Sequence, residues 1–319
     1  MKAHGLNIGV VMDPIARIHT ATDTSFGLLL AAQARGCAPY YMTLKDLYLD
    51  NGNPRARMRP LLVKDRPTEW YTLGPSIDQP LDKLDVILMR KDPPVDDRYI
   101  YATHILESAE RAGVVVLNSP RALRSLNEKL LATQFPHCMA PTLVSSSRKK
   151  IRAFIEKHKT VVVKPLGERA GNGIFKTHVS DPNLNSILDA MTKLGRLYIM
   201  VQQFLPALHK TGDKRIIMLY GEPMTYVLTR KPVGSDFRAN MAAGGVAEGS
   251  ILTDNDRRIC TEIGETLRNE GIALAGIDII GDYLTEINIT SPTGVRALET
   301  IFKADISGKI WDEIVSRMP

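Results

Sequence analysis

GIDIIGDYLTEINITSPT, residues 276–293, decides the reading of this 319-residue chain. Two apolar, β-branched runs flank Gly281-Asp282, so the segment reads as a closing hairpin within 274–290. Side chains alternate between sheet faces with a period of two. Ile277, Ile279, Thr285, Ile287 and Ile289 fall on one parity, and Asp278, Ile280, Leu284, Glu286, Asn288 and Thr290 on the other. The first set is a core face, so the second presents Asp278, Glu286 and Asn288 together. Two carboxylates and an amide oxygen are hard ligands of the kind Mg²⁺ takes, with Mn²⁺ as its alternative, beside phosphate oxygens. A register condition attaches to this reading. A two-residue Gly281-Asp282 loop would turn Asp278 to the wrong face, whereas an odd loop or a bulge would pair it with Glu286. The expectation is the odd loop or the bulge. No Lys or Arg interrupts these strand residues, as a solvated face of mixed sign would require.

Upstream, TVVVKP (160–165) ends an apolar strand on Lys164, and GERAGNG (167–173) follows with Gly171 and Gly173. A strand-end lysine is a compact charge for phosphate oxygens, and glycines let backbone N–H groups approach them. No Gly-Lys-Ser/Thr follows, so this is not a Walker loop. Arg215, Arg230 and Arg238 flank or enter a second glycine-rich loop at 231–250, and Arg90 ends a strand near the amino terminus. Arginine there offers bidentate pairing to carboxylate or phosphoryl groups.

The opening 120 residues alternate strand and helix. NIGVVMD (7–13), APYYMTL (38–44), DVILMRK (85–91) and GVVVLN (113–118) read as strands, and SFGLLLAAQARG and DDRYIYATHILESAERAG as helices. Continuous apolar strands between helices imply a parallel sheet covered on both faces. A helix over 120–135 and a Pro/Ser-rich connection (PHCMAPTLVSSS) lead to a helix at 148–158, the 160–165 strand, IFKTHV, a helix with Asp181 as its cap, and LYIMVQQFLP. Two strands about a Gly221-Glu222-Pro223 turn, the 231–250 loop, a helix (254–270) and the closing hairpin complete an α+β half. The expected domains are 1–122, an α/β unit, and 123–319, divided at 200 into a nucleotide-clamping and a metal-holding part.

Composition bounds the rest. The chain is 44% hydrophobic and 24% charged, which excludes a disordered tail, a collagen-like fibre or a coiled coil. A net charge of +6 without like-charge blocks argues against a nucleic-acid surface. Cys37, Cys138 and Cys260 form no Cys-x-x-Cys pair, and free thiols suit a reducing compartment. With neither a signal peptide nor a run of roughly eighteen apolar residues, the expectation is a cytoplasmic protein without a membrane partner. Histidine and serine motifs for metalloprotease or serine-hydrolase chemistry are absent.

A strand-end lysine, a glycine loop, an acid cluster and several arginines suit phosphoryl transfer to a carboxylate. On VMDP (11–14), DVILMRKDPP (85–94), YIYATHILE (99–107), NEKL (127–130), KPL (164–166), GDKRI (212–216), AAGG (242–245) and LAGIDIIGDYLTEINITSPTG (274–294), the chain resembles the prokaryotic glutathione synthetases of the ATP-grasp superfamily, almost end to end. The resemblance implies a Rossmann-like pre-ATP-grasp domain followed by an ATP-grasp domain with antiparallel sheets. It implies ligation of glycine to γ-glutamylcysteine with ATP, through an acyl phosphate, in a homo-oligomer (dimer or tetramer).

Residue by residue, it implies that Lys129 and Lys164 contact nucleotide phosphates, with Gly171 and Gly173 in the loop beside them. The backbone at Gln203, Phe204 and Leu205 would face adenine, and Asp278, Glu286 and Asn288 would hold magnesium. Arg215, with Arg230, would stabilise the reacting phosphoryl group. Arg90, Arg238 and Asn240 would hold the acceptor peptide, and Ser291 and Thr293 the incoming amino acid. The loops 167–173 and 231–249 are expected to close over the site. Two departures from the family pattern stand out. Gly167-Glu168-Arg169-Ala170-Gly171 replaces Asp-Gly-Met-Gly-Gly, and Val246 stands where arginine is common. A ligase joining other amino acids or peptides, and a non-catalytic nucleotide-binding protein on the same fold, are the alternative readings.

Overall fold

The computed structural model describes residues 5–168, 171–234, 237–239 and 245–318. The first sheet grows from β1 (Asn7–Val11), which is followed by α1 (Thr24–Ala34) and β2 (Ala38–Met42). Then come β3 (Leu47–Asp50), β4 (Asn53–Val63), β5 (Tyr71–Leu73), β6 (Ile77–Pro80), β7 (Val86–Met89), α2 (Asp97–Arg111) and β8 (Val115–Leu117). The parallel core foreseen from the apolar runs is present, in the order β2-β1-β7-β8. The sheet is not purely parallel. β4 joins β2 antiparallel and carries β3, β5 and β6 along its length.

Two short helices, α3 (Pro120–Ser125) and α4 (Glu128–Ala132), stand where one helix over 120–135 is expected. Leu126 is extended, and Asn127 caps α4 by accepting from the Lys129 and Leu130 amides. Within the Pro/Ser-rich connection the chain forms a further strand, β9 (Thr142–Ser145). α5 (Arg148–His158), β10 (Thr160–Pro165), β11 (Phe175–His178), α6 (Leu184–Thr192) and β12 (Ile199–Gln203) follow. They make an antiparallel sheet ordered β11-β10-β12-β9. Asn183, not Asp181, is the residue before α6. Asp181 instead accepts from the Asn183 amide and from Thr177.

A single turn, α7 (Leu208–Thr211), leads into β13 (Asp213–Leu219) and β14 (Glu222–Lys231). Their turn is Tyr220-Gly221, so Glu222 and Pro223 belong to the strand rather than the turn. β15 (Val246–Ile251) pairs with β14 over residues expected to be loop. α8 (Asp254–Asn269), β16 (Leu274–Ile280) and β17 (Tyr283–Asn288) complete an antiparallel sheet ordered β15-β14-β13-β16-β17. α8 is fixed from its first turn, where Thr253 and Asp256 form a capping box. The buried Asp256 also pairs with Lys214 of β13.

Finally α9 (Val295–Phe302) and α10 (Ile306–Ser316) return to the first sheet. Trp311, fully buried, donates its indole N–H to the Leu28 carbonyl of α1. Gly27 lets α9 and α10 come close to α1, since a Cβ there would lie 2.7 Å from Ser307 Oγ and 2.9 Å from Arg296 Cδ and both side chains would have to shift. One apolar core runs from Val11 and Tyr99 under the first sheet to Ile216, Ile277 and Ile287 under the last. No described helix is long and apolar enough to cross a membrane.

Candidate active site

An open cleft of about 820 Å³ separates the four-stranded from the five-stranded sheet. Its acidic wall follows from strand register. Arg215 of β13 lies opposite Asp278 of β16, and Asp278 opposite Glu286 of β17. Asp213 lies opposite Arg230 of β14. Directly paired residues share a sheet face, so these five side chains converge. The hairpin does turn through two residues, Gly281-Asp282, yet Asp278 still meets Glu286. Ile279 pairs with Leu284 and Asp278 with Glu286, leaving Thr285 as the extra residue of a bulge. The bulge branch of the expected register is the one present.

Arg215 grips Asp278 at both oxygens, Nε to Oδ1 at 2.5 Å and Nη2 to Oδ2 at 2.7 Å. Arg230 Nη2 lies 2.6 Å from Asp213 Oδ2 and 2.9 Å from Asp278 Oδ1. Asn288 Nδ2 donates to Asp278 Oδ2 at 3.2 Å. Burial pushes the Asp278 pKa up, but the charges of Arg215 and Arg230 outweigh it and hold the carboxyl below its usual range. Asp213 goes the other way. Burial lifts it to about 7 against the pull of Arg230, with Asp278 adding repulsion. Its Oδ1 is buried without a hydrogen bond among the described residues.

The basic wall is built differently. Asn127 Nδ2 donates to the Leu166 carbonyl at 2.9 Å, tying the NEKL turn to the KPL strand end. Lys129 is buried and reaches Glu286 Oε1 at 3.0 Å and the Glu168 carbonyl at 2.6 Å. Lys164 Nζ donates to the neutral amide oxygen of Gln202 at 2.9 Å. Burial lowers its pKa, only partly opposed by Glu286. Gln203, Phe204 and Leu205 line the adjoining end of the cleft, and Lys176 Nζ sits 3.8 Å from the Phe204 ring centroid.

The remaining candidates divide. Gly171 lines the cleft, and its carbonyl is 3.5 Å from Arg238 Nη1, which also lines it. Gly171 and Gly173 both adopt positive φ, 78° and 65°, which suits glycine. Arg90 is buried away from the cleft, donating to Ser25 Oγ at 3.0 Å and to the Pro292 carbonyl at 2.9 Å. Arg215 Nη1 reaches the Thr293 carbonyl at 3.3 Å, so two arginines from different sheets hold the segment that contains Ser291 and Thr293. Asn240 lies outside the described residues, as do parts of both loops expected to close.

Glu128 and Asp213 went unnoticed in the sequence. Glu128 Oε1 accepts from the Ile289 and Thr290 amides and from Thr290 Oγ1, anchoring α4 to the end of β17. Burial, then repulsion from Glu286, raises its pKa. Asp213 could have been found by parity, since it shares a strand face with Arg215 two residues on. Glu128 had no local signal, because its partners lie about 160 positions away.

This arrangement is that of an ATP-grasp ligase. The solved structure of D-cycloserine synthetase DcsG superposes with a TM-score of 0.69 at 12% identity, covering 98% of this chain and 100% of that one. Sequence comparison is more specific. The family model for the prokaryotic glutathione synthetase N-terminal domain matches residues 6–124, and that for the ATP-grasp domain of the same enzymes matches 128–303. A glutathione synthetase of Pseudomonas putida is 51% identical over 309 residues, 97% of each chain. One from Coxiella burnetii is 50% identical over 304 residues, 95% of this chain and 94% of its own. The chain belongs to the prokaryotic glutathione synthetase family. Its activity is that of an ATP-dependent ligase of the glutathione-forming type.

Proposed function

We propose that the cleft joins the cysteine carboxylate of γ-glutamylcysteine to the amine of glycine, using ATP and passing through an acyl phosphate. The observation that carries this reading is the cleft's two-sided charge, with Lys129 and Lys164 facing Asp278 and Glu286 across one space. Among the described residues Lys164 Nζ has no acidic partner in contact and meets the Gln202 amide oxygen, which suits it to a phosphate oxygen. Lys129, already on Glu286, holds that carboxylate in place. Gln203 to Leu205 form the edge against which an adenine ring would lie.

The donor set suits a hard divalent ion. Glu286 Oε2 and Asn288 Oδ1 carry no protein partner among the described residues, and Asp278 is held ionised. Mg²⁺ bound there by Asp278, Glu286 and Asn288 would neutralise phosphate charge during transfer. A carboxylate is a poor electrophile until phosphorylation makes one of its oxygens a leaving group. Arg215 and Arg230, fixed by Asp278 and Asp213, supply preorganised positive charge where that transfer and the later tetrahedral oxyanion develop. In this reading residues 1–122 contribute Arg90, which with Arg215 shapes the Pro292–Thr293 backbone that would hold the acceptor and the glycine. Arg238 and Asn240 would cover them from the second loop, and symmetric copies of the chain would assemble into a dimer or tetramer.

The test is a ligation assay with γ-glutamylcysteine, glycine, ATP and Mg²⁺. One ADP and one glutathione should form together. ADP release with other acceptors but not this pair would place the chain among other peptide ligases, and no release at all would leave a nucleotide-binding protein.

A further inference from the structure

Away from the cleft, His137, Cys138 and Glu262 gather where the chain leaves α4 and turns toward β9. Their ligand atoms all lie within 4.8 Å of one another. Cys138 Sγ is 3.3 Å from Glu262 Oε2, and His137 Nε2 contacts the same oxygen. The other carboxylate oxygen is taken, since Arg258 Nη1 holds Glu262 Oε1 at 2.7 Å. Oε2 is thereby aimed between the imidazole and the thiol. Both supports are fixed. His137 and Cys138 sit in a short 3₁₀ turn that ends on Met139, which bridges to Leu284 of β17, while Glu262 rides on α8. His137 is exposed and Cys138 buried, so an ion would arrive from the imidazole side.

We propose that His137 Nε2, Cys138 Sγ and Glu262 Oε2 form a binding site for a divalent ion of the Zn²⁺ class, tying the connector before β9 to α8. One nitrogen, one sulfur and one oxygen ligand, with water in the fourth position, make a tetrahedral set that a borderline-soft ion accepts. The thiolate excludes Mg²⁺ and Ca²⁺, so the site is chemically separate from the oxygen donors of the cleft. Binding requires a neutral imidazole and the loss of the thiol proton to solvent as the sulfur–metal bond forms. Burial and then Glu262 raise the Cys138 pKa, so that proton is present until an ion displaces it. Arg258 Nη1, 3.9 Å from the sulfur, opposes a second cation and must swing away from it while keeping Oε1.

Co²⁺ is the probe, added to the full-length protein with Mg²⁺ in excess to occupy oxygen-ligand sites. The expected result is a near-ultraviolet sulfur-to-cobalt charge-transfer band that saturates at one equivalent and is bleached by Zn²⁺. Cys138→Ser should abolish the band, and His137→Ala should weaken binding at least about tenfold. Cys37→Ser and Cys260→Ser should leave it intact. His137 is exposed, so its variant reports on the site without disturbing a core, and circular dichroism checks the Cys138 variant. No band, a band that survives in Cys138→Ser, or affinity unchanged in His137→Ala would each overturn the proposal.

Discussion

The two walls of the cleft handle charge in opposite ways. On the five-stranded sheet every acid that faces the space meets a cation of the protein. Asp278 is held by Arg215 and Arg230, Asp213 by Arg230, and Glu286 by Lys129. On the four-stranded sheet Lys164 meets, among the described residues, only the amide oxygen of Gln202, and burial has already lowered its pKa. On the first wall the charges are paired within the protein, although single oxygens of Asp213 and Glu286 are left over. The second carries a charge that an anionic ligand would satisfy. Stability and binding therefore separate between them, and each wall can be broken on its own.

The largest effect belongs to Asp278→Asn. It strips the bidentate partner from Arg215 and leaves buried guanidinium charge unpaired, at a cost of about 3–5 kcal/mol. Urea unfolding should read that loss, and ligation should vanish with it. Lys164→Met should do the reverse. Losing one charge-assisted bond of about 1.5–3 kcal/mol weakens ATP binding roughly tenfold to hundredfold. The ligand-free protein should melt no lower than the parent, because the variant removes a desolvated cation. A lower melting point would mean Lys164 is already paid for within the fold.

Asp213→Asn sharpens the comparison through pH. An acid raised from 3.8 to about 7 binds its proton more tightly folded than unfolded. Its contribution is full below 3.8 and is lost as pH rises through 7. Asp278, with its depressed pKa, contributes a slope of the opposite sign, and only at the low-pH edge of that window where the unfolded chain begins to take up its proton. That slope is common to both proteins. Urea midpoints for the parent should therefore decline between about pH 4 and 7 more steeply than those of Asp213→Asn. The smallest effect is expected at Val246→Arg, at the exposed start of β15 opposite Lys231. Stability should move by no more than about 0.5 kcal/mol. The ratio of kcat/KM between γ-glutamylcysteine and other γ-glutamyl dipeptides should shift by about fivefold or less, as a solvent-exposed charge allows.

Apolar periodicity made the parallel strands and the closing hairpin legible before any coordinates. It failed where proline, serine or glycine obscured a strand. β4 reads NPRARMRPLLV, and its prolines hide an eleven-residue strand that organises one edge of the first sheet. β15 carries Gly249 against Phe302, and β9 lies in a proline-rich connection, so neither gave a clean alternation. In the site, the acids, lysines and arginines could be named from spacing and resemblance. Which of them neutralise one another could not, because Arg215 meets Asp278 only through pairing across 63 residues of chain. The Thr285 bulge is of the same kind. Sequence parity demanded some irregularity, and only the fold located it.

The most direct test of the central claim follows oxygen. γ-Glutamylcysteine bearing heavy oxygen in its cysteine carboxylate is turned over with glycine, ATP and Mg²⁺, and the released phosphate is examined by mass spectrometry. If the cleft activates the carboxylate by phosphorylation, each phosphate carries one heavy oxygen from the peptide. Glutathione formed alongside unlabelled phosphate would contradict the account.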